Sequence, residues 1–252
     1  MMTLGAQLYT LREFTQTEAD LDYSLGRVKE IGYEAVQISA IGPIPAERVR
    51  ALCDKHGLQI VLTHTDPNRI LNDTEAVIRE HEIMGCEYIG IGMMPQKYRC
   101  PEWLWHFAED YREPAKKIAA AGKLLMYHNH NFEFEKFDGK LVIDTLIESF
   151  SPEEMGFTLD TYWVQMGGGD SCDWLRKLKG RTQCVHFKDM TVHGWEPAMA
   201  PVLEGNIDFK KILATIRELG GVKHLLVEQD ICEGSPFDCL KVSFDNLKAI
   251  GC

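Results

Sequence analysis

Short apolar runs alternate with longer amphipathic segments along the whole 252-residue chain. Each apolar run has the length of a buried strand, and each longer segment carries apolar residues at helical spacing. Strands that alternate with helices pair in parallel through right-handed crossovers. We predict eight strands, at residues 4–9, 35–39, 59–63, 88–92, 124–128, 156–160, 184–187 and 224–228. The helices are predicted at residues 18–31, 45–56, 73–84, 102–121, 143–150, 172–178, 209–219 and 237–249.

Eight such units in a chain of this length are typical of a closed barrel. The predicted fold is therefore an α/β protein, a single (β/α)8 TIM barrel over residues 1–252. Six predicted helices are followed by a glycine, the residue that adopts a left-handed helix end with the least strain: Gly32, Gly57, Gly85, Gly122, Gly180 and Gly220. An open, doubly wound sheet is the alternative, but no Gly-x-Gly-x-x-Gly follows the first predicted strand.

The charge balance and the cysteines restrict the partners and the compartment. The chain carries 27 Lys and Arg against 38 Asp and Glu, a formal net charge of −11. Because phosphate contacts need clustered basic side chains, this balance argues against a nucleic-acid partner. No run approaches ~18 apolar residues and no signal-peptide pattern is present, so we expect no membrane association. The eight cysteines form no Cys-x-x-Cys pair and fit the reducing cytoplasm.

Polar and ionisable side chains gather where the predicted strands end. In a TIM barrel the chemistry lies at the C-terminal ends of the strands, and strands are otherwise depleted in Asp and Glu. A carboxylate that ends an apolar run must be solvated, paired or bound to a metal. The site candidates are Gln7 and Tyr9 on the first strand, His64 on the third, His128, His130 and Glu133 on or after the fifth, Asp160 on the sixth, His186 and Lys188 on the seventh, and Glu228 and Asp230 on the eighth.

These residue types together suit a divalent metal ion. Alternate residues of a strand share a face, so His128 and His130 can point the same way, as can His186 and Lys188. Imidazole and carboxylate ligands bind ions such as Mn, Co, Zn or Mg. Ligands from four strands would leave coordination positions for a substrate. Such a metal can stabilise an enolate while a nearby side chain moves the α-proton.

Three further side chains are candidates for contact with a substrate. Trp163 and Tyr9 could stack on the face of a sugar, although both are also compatible with ordinary core packing. Glu204, in the segment LEGNI before the seventh predicted helix, either reaches the pocket or is only solvated. The glycines at 167–169 either offer backbone amides to a phosphate or hydroxyl group or form a flexible loop.

The strand-end segments, taken in order, resemble the sugar phosphate isomerase/epimerase family with the xylose isomerase-like TIM barrel. The segments that carry the resemblance are QLYTLR, YHNHNFEF, TLDTYWVQMGG, VHFKDM, EGNID and LLVEQD, and they cover essentially the whole chain. Members are cytosolic divalent-metal enzymes. They include ketose epimerases, isomerases, dehydratases of inosose or dehydroshikimate, and deglycosidases of keto-glycosides. The resemblance implies a small-molecule carbohydrate or cyclitol substrate.

The resemblance also implies a ligand set. Family ligands come from strands five to eight as Glu, Asp, His and Glu, and three of them correspond to Asp160, His186 and Glu228. At the first position this chain has His128, with Glu133 five residues later, so either one is the fourth ligand. This departure weakens the mechanism in which two glutamates exchange protons. In this respect the chain is more similar to the members with paired histidines on strand five, in which dehydration or elimination is expected.

We therefore expect a metal-dependent isomerase, epimerase or lyase that abstracts a proton next to a carbonyl. His130 or His64 is expected to carry the proton, and Lys188 to orient a substrate oxygen or stabilise an enolate. The expected substrate contacts are Gln7, Tyr9, Trp163, Glu204 and Asp230. An abasic-site DNA endonuclease and a non-catalytic, accessory sugar-binding barrel stay open as alternatives. The sequence leaves open whether the chain forms a homo- or hetero-oligomer.

Overall fold

A computed structural model describes residues 2–252 and contains a closed barrel of eight parallel strands. The strands within these residues are β1 (Thr3–Gln7), β2 (Ala35–Ile38), β3 (Gln59–Thr65), β4 (Tyr88–Ile91), β5 (Leu124–His128), β6 (Lys136–Phe137), β7 (Lys140–Leu141), β8 (Met155–Asp160), β9 (Cys184–Phe187), β10 (Asp189–His193), β11 (Glu196–Ala200) and β12 (His224–Val227). Around the barrel the order is β1, β12, β9, β8, β5, β4, β3, β2, and β2 pairs with β1 to close it. The predicted TIM barrel is confirmed.

Helices connect successive barrel strands and cover the outside of the barrel. They are α1 (Glu18–Ile31), α2 (Ala46–Lys55), α3 (Pro67–Asn72), α4 (Thr74–Met84), α5 (Leu104–Ala120), α6 (Val142–Ser149), α7 (Thr161–Met166), α8 (Ser171–Lys177), α9 (Phe209–Leu219) and α10 (Pro236–Ala249). Within residues 2–252 no helix is long and apolar enough to cross a bilayer.

Glycine residues set the turns from helices to strands as the sequence indicates. All six glycines expected at helix ends have a positive φ, between 62° and 120°. At Gly85 the φ of 64° makes it the left-handed cap of α4, and its N–H donates to the carbonyls of Glu82 and His81. A side chain at this position would be strained, which explains why glycine ends the helix.

The apolar core has two parts, and the smaller part lies on the same strand faces as the candidate site. The larger part fills the space between the barrel and the helices. The smaller one includes Met126, Cys184 and Leu226, each two residues before a site candidate on its strand. Because alternate side chains share a face, these three residues form an apolar floor beneath His128, His186 and Glu228.

Several short elements were not predicted. The strand β1 ends at Gln7, and a 3-10 helix over Leu8–Phe14 follows, so Tyr9 lies beyond the strand in which it was predicted. The hairpins β6–β7 and β10–β11 and the six-residue helices α3 and α7 were also missed. The antiparallel hairpin β10–β11 directly follows the seventh barrel strand, β9.

Candidate metal centre and active site

Four buried side chains at the ends of neighbouring barrel strands come together. The four residues are His128, Asp160, His186 and Glu228. Each offers one nitrogen or oxygen atom, and these four atoms all lie within 4.8 Å of one another. The strand register explains the meeting, because Asp160 on β8 pairs with His186 on β9. Parallel strands that end at one rim thus bring together residues that are up to 100 positions apart in the sequence.

Each histidine binds an acceptor outside the cluster with one ring nitrogen and turns its other ring nitrogen toward the cluster. The Nδ1–H of His128 donates to the carbonyl of Gly92 at 3.0 Å, which leaves Nε2 facing Asp160 Oδ2 at 3.2 Å. The Nε2–H of His186 donates to Gln37 Oε1 at 2.7 Å, which leaves Nδ1 3.0 Å from Glu228 Oε2. Metal-binding histidines use this arrangement, in which an outer acceptor fixes the tautomer.

The outer oxygens of the two carboxylates are also held. Asp160 Oδ1 accepts the backbone N–H of Trp163 at 3.0 Å as the N-cap of α7. Glu228 Oε1 accepts the Nε2–H of Gln7 at 2.7 Å. Each carboxylate therefore has one oxygen bound to the protein and the other directed at the imidazole nitrogens. Two imidazole nitrogens and two carboxylate oxygens converge, a donor set that fits a divalent cation once the nitrogens are deprotonated.

The pKa shifts fit a site built to hold positive charge. Burial disfavours the charge of Asp160, yet the Lys188 ammonium and the His128 imidazole hold the pKa of its carboxyl below the usual range. Glu228 is buried as well, and Lys188 and His186 keep its pKa well below the usual range. Burial alone would lower the pKa of His186. The carboxylates of Glu228 and Asp160 outweigh burial and raise this pKa to about 9. The carboxylates thus stay ionised and attract a cation, which competes with a proton for His186.

Lys188 lies beside the cluster as a buried ammonium. Its Nζ is 2.7 Å from the Asp230 carboxylate, 3.5 Å from Glu228 Oε2 and 3.8 Å from Asp160 Oδ2. Burial opposes its charge, but these carboxylates raise the pKa of Lys188 above its ordinary value. The pKa of Asp230 is raised to about 6 by burial and by Glu228. Lys188 is therefore a fixed positive charge at the edge of the candidate metal centre.

A cavity of about 590 Å³ opens over this cluster, a volume that suits a small-molecule ligand. Predicted site residues contribute much of its wall: Tyr9, His64, His128, His130, Trp163, Lys188, Glu228 and Asp230. The His130 ring lies 5.1 Å from Trp163 and 6.0 Å from Phe132, measured between ring centres. The cavity therefore combines aromatic surfaces with ionisable groups next to the candidate metal position.

Two neutral imidazoles face this cavity outside the four-residue cluster. Burial and the neighbouring His128 lower the pKa of His130 to about 2 and that of His64 well below its ordinary value. Among residues 2–252, no hydrogen-bond partner is present for His130 Nδ1 or His64 Nε2. His64 Nδ1 lies 3.3 Å from the hydroxyl of Ser39. Each side chain therefore has a ring nitrogen that can hydrogen-bond to a molecule in the cavity.

A family model described as a xylose isomerase-like TIM barrel matches residues 25–233. The chain belongs to the xylose isomerase-like TIM barrel family. This result confirms the family resemblance that was inferred from the strand-end segments. No curated protein matches the chain in sequence.

Solved structures share the xylose isomerase-like barrel across nearly the whole chain. A sugar phosphate isomerase/epimerase from Parabacteroides distasonis has a TM-score of 0.83 at 21% identity, covering 99% of this chain and 94% of its own. The probable 3-DHS dehydratase of petrobactin synthesis from Bacillus anthracis has a TM-score of 0.75 at 13% identity, with coverages of 98% and 99%. A D-allulose 3-epimerase from Methylomonas sp. has a TM-score of 0.74 at 13% identity, with coverages of 99% and 98%. At these identities the likeness shows a common fold.

Three predicted site residues lie away from the cavity or the cluster. The Glu133 carboxylate accepts hydrogen bonds from the hydroxyl of Tyr127 at 2.6 Å and from the backbone N–H of His130 at 2.8 Å. Its side chain is therefore bound to residues on and just after strand β5 instead of joining the four-residue cluster. Burial raises the pKa of Glu133 to about 7. Gln7 is fully buried behind Glu228 and does not line the cavity, and Glu204 is exposed and accepts from Asn246 at 2.8 Å. Gln7 and Glu204 therefore do not line this cavity, and their contacts with a substrate stay predictions.

Sequence reasoning missed side chains that support the site. Gln37 is one, and Asn129 is another, since its Oδ1 accepts the backbone N–H of Asp160 at 3.0 Å. Asp189 accepts four backbone N–H groups, from Met190, Leu203, Gly205 and Ile207. Asp189 and Asn129 directly follow predicted site residues in the segments VHFKDM and YHNHNFEF, and this adjacency was the only signal in the sequence.

Proposed function

We propose that the protein is a divalent-metal-dependent isomerase, epimerase or lyase that acts on a sugar, keto-sugar or cyclitol by abstracting a proton next to a carbonyl. The observation that carries this proposal is the convergence of His128, Asp160, His186 and Glu228, with the outer atoms of all four already bonded to other groups. A bound divalent ion would supply Lewis-acid polarisation of the substrate carbonyl.

The remaining steps belong to side chains of the chain itself. Lys188 donates a hydrogen bond to the oxygen on which negative charge develops, and its ammonium stabilises the enolate. His130 or His64 accepts the α-proton, because each lines the cavity and has a ring nitrogen with no partner among residues 2–252. Trp163 and Tyr9 offer ring faces to the substrate at the cavity wall.

A small polyhydroxylated substrate suits this cavity. Its lining alternates aromatic rings with hydrogen-bonding groups, and its volume of about 590 Å³ holds a monosaccharide or a cyclitol. The names of structural relatives agree with this class, since they include an L-ribulose 3-epimerase, a D-allulose 3-epimerase and a probable 3-DHS dehydratase. All eight cysteines are free thiols, which favours the cytoplasm as the place of action.

The residues of strand β5 favour proton transfer at only one face of the substrate. In place of a cluster glutamate it supplies His128, and Glu133 is bonded within its own segment. A pair of glutamates on opposite faces of a substrate is therefore not what this cavity offers. We place dehydration or elimination beside isomerisation within the proposal, because both begin with the same abstraction of an α-proton.

Solvent deuterium incorporation tests the proposal directly. Keto-sugars and cyclitols are incubated in D2O with the protein and Mn, Co, Mg or Zn, and NMR follows the carbon next to the carbonyl. We expect label, or loss of water, with at least one substrate and only with metal. The variants His130→Asn and His64→Asn are compared, and the proton carrier should lose about 100-fold or more in rate. Glu113→Gln, which changes an exposed side chain on helix α5, is the control. Equal exchange with and without metal would contradict the proposal.

A further inference from the structure

Gln37 is a fully buried polar side chain in the middle of an apolar strand. It lies on β2, and its backbone pairs with that of Gln7 on β1. Its Oε1 accepts the Nε2–H of His186 at 2.7 Å. Its own amide nitrogen has no hydrogen-bond partner within the described chain. Burying an amide with an unpartnered N–H group costs free energy, so the single bond to His186 is the contact that this residue provides.

That contact decides which nitrogen of His186 carries the proton. With a carbonyl oxygen 2.7 Å away, Nε2 must be the donor in the neutral ring. The lone pair then lies on Nδ1, which faces Glu228 Oε2 at 3.0 Å and Asp160 Oδ2 at 3.6 Å. The other tautomer would place a hydrogen on Nδ1 and remove this nitrogen as a metal ligand.

The second histidine of the cluster is held by the same logic but from the backbone. The acceptor for His128 Nδ1–H is the carbonyl of Gly92, at 3.0 Å. A backbone carbonyl cannot be exchanged by substitution, whereas the oxygen of Gln37 can. The two histidines thus provide an internal comparison between a replaceable and a permanent outer acceptor.

We propose that Gln37 is a positioning residue that fixes His186 as an Nδ1 ligand of the divalent ion. The inference rests on the proposed metal centre and extends it to a residue outside the four ligands. Outer acceptors of this kind typically change metal affinity by about 10- to 100-fold when they are removed. Gln37 does not line the cavity, and its side-chain hydrogen bond is to His186.

The test compares Gln37→Met, which keeps the volume but removes the acceptor, with Gln37→Glu, which keeps an acceptor oxygen. Zinc affinity is measured by calorimetry on the intact chain, and the His186 tautomer is read from 15N–1H NMR of the metal-free protein at a pH at which the ring is neutral. We expect Gln37→Met to bind zinc about 10- to 100-fold more weakly. Its His186 signals should no longer show a single Nε2–H tautomer, and Gln37→Glu should retain both properties. Gln183→Met, at the opposite end of the barrel strand β9, is the control.

The outcomes separate this inference from the proposed function. If the wild-type protein binds zinc and Gln37→Met binds it within twofold with the tautomer unchanged, the role of Gln37 is disproved and the metal centre stands. If the wild-type protein binds no divalent ion, the proposed function fails first. Circular dichroism of each variant shows whether the fold is retained. A general packing defect would weaken Gln37→Glu as much as Gln37→Met, and that result also overturns the inference.

Discussion

Lys188 is the residue with the most unusual surroundings, since its ammonium is buried among three carboxylates. We predict that Lys188→Met lowers kcat by about 100- to 1,000-fold, because one charge that stabilises the developing oxyanion is lost. Metal affinity should stay the same or rise, since a positive charge next to the cation is removed. Steady-state kinetics and calorimetry measure the two effects. Lys211→Met, which breaks an exposed ion pair with Asp170, is the control. A fall in metal affinity without a fall in kcat would contradict the assigned role.

At this scale the sequence predicted ionisable residues better than amides. Asp160, His186 and Glu228 stand out because acids and imidazoles are rare at the ends of apolar runs. Gln37 does not stand out, because a glutamine within a strand carries no sign of its partner. The choice between His128 and Glu133 depends on the turn of the 3-10 helix Phe132–Phe134, which brings Glu133 back to Tyr127. The spacing of residues does not reveal such a turn.

Helix α4 is joined to strand β3 by a buried histidine. His81 Nδ1–H donates to the carbonyl of Val77 at 2.7 Å, and Nε2 lies 2.8 Å from the hydroxyl of Thr63. Burial lowers the pKa of His81 to about 4. Between pH 6.5 and 4 the unfolded chain therefore binds a proton that the folded protein refuses. Stability from this group is complete above pH 6.5 and is lost as the pH falls towards 4, by about 3 kcal/mol in total.

We predict that the free energy of unfolding of His81→Gln depends less on pH between pH 7 and 4 than that of the wild type. Urea unfolding at pH 7, 6, 5 and 4 should give a smaller loss of the free energy of unfolding in this variant than in the wild type. His193→Gln changes an exposed histidine on the hairpin β10–β11 and should leave the wild-type slope intact. Parallel curves for the wild type and His81→Gln would refute the account of this contact.

A second contact between elements depends on Asp189 at the start of β10. Its carboxylate accepts hydrogen bonds from four backbone N–H groups. One donor is Leu203, which has a positive φ of 72°. Another is Gly205, which lies so close to the backbone of Met190 that a side chain at position 205 would collide with it. We predict that Asp189→Asn lowers the free energy of unfolding by about 3 kcal/mol, because an amide group cannot accept from all four donors. Urea unfolding measures this loss, and Asp173→Asn, exposed on α8, is the control. A loss no larger than that of Asp173→Asn would remove the assigned role.

The elements that the sequence failed to predict are short or exposed. Helix α7 has only six residues and begins at a cap made by Asp160, a residue whose side chain was assigned to chemistry alone. The hairpin strands β10 and β11 are mostly exposed or half-buried, and β11 does not alternate between apolar and polar residues. The barrel strands and longer helices were predictable because burial on both faces of a strand, or on one face of a helix, imposes a strong apolar pattern.

The acidic character of the whole molecule favours the proposed enzyme over a nuclease on the same fold. The net charge is −11. Among residues 2–252, Arg99 and Lys188 are the Lys or Arg residues that line the cavity, and Lys188 is surrounded by carboxylates. We predict no cleavage of a duplex with an abasic site at low salt with Mn, Mg or Zn, because the backbone of DNA would meet repulsion. Gel electrophoresis of the labelled duplex measures this, with a known abasic-site nuclease as the positive control. Rapid nicking would favour the nuclease.

The architecture as a whole follows from the repeated strand–helix pattern, and the metal centre follows from the architecture. Parallel pairing of the neighbouring strands β8, β9 and β12 brings Asp160 next to His186 and Glu228, although the three are distant in the sequence. Sequence analysis could place these residues at one rim, but it could not give the distances at which their atoms meet. Those distances depend on the register of eight strands.

A crystal structure of the zinc-loaded protein, with anomalous data collected at the zinc edge, tests the central claim most directly. We predict one strong peak about 2.0–2.2 Å from a nitrogen of His128, an oxygen of Asp160, Nδ1 of His186 and an oxygen of Glu228. The peak should vanish in Asp160→Ala crystals grown and soaked in the same way. A zinc ion bound elsewhere, with these four side chains free of it, would contradict the account.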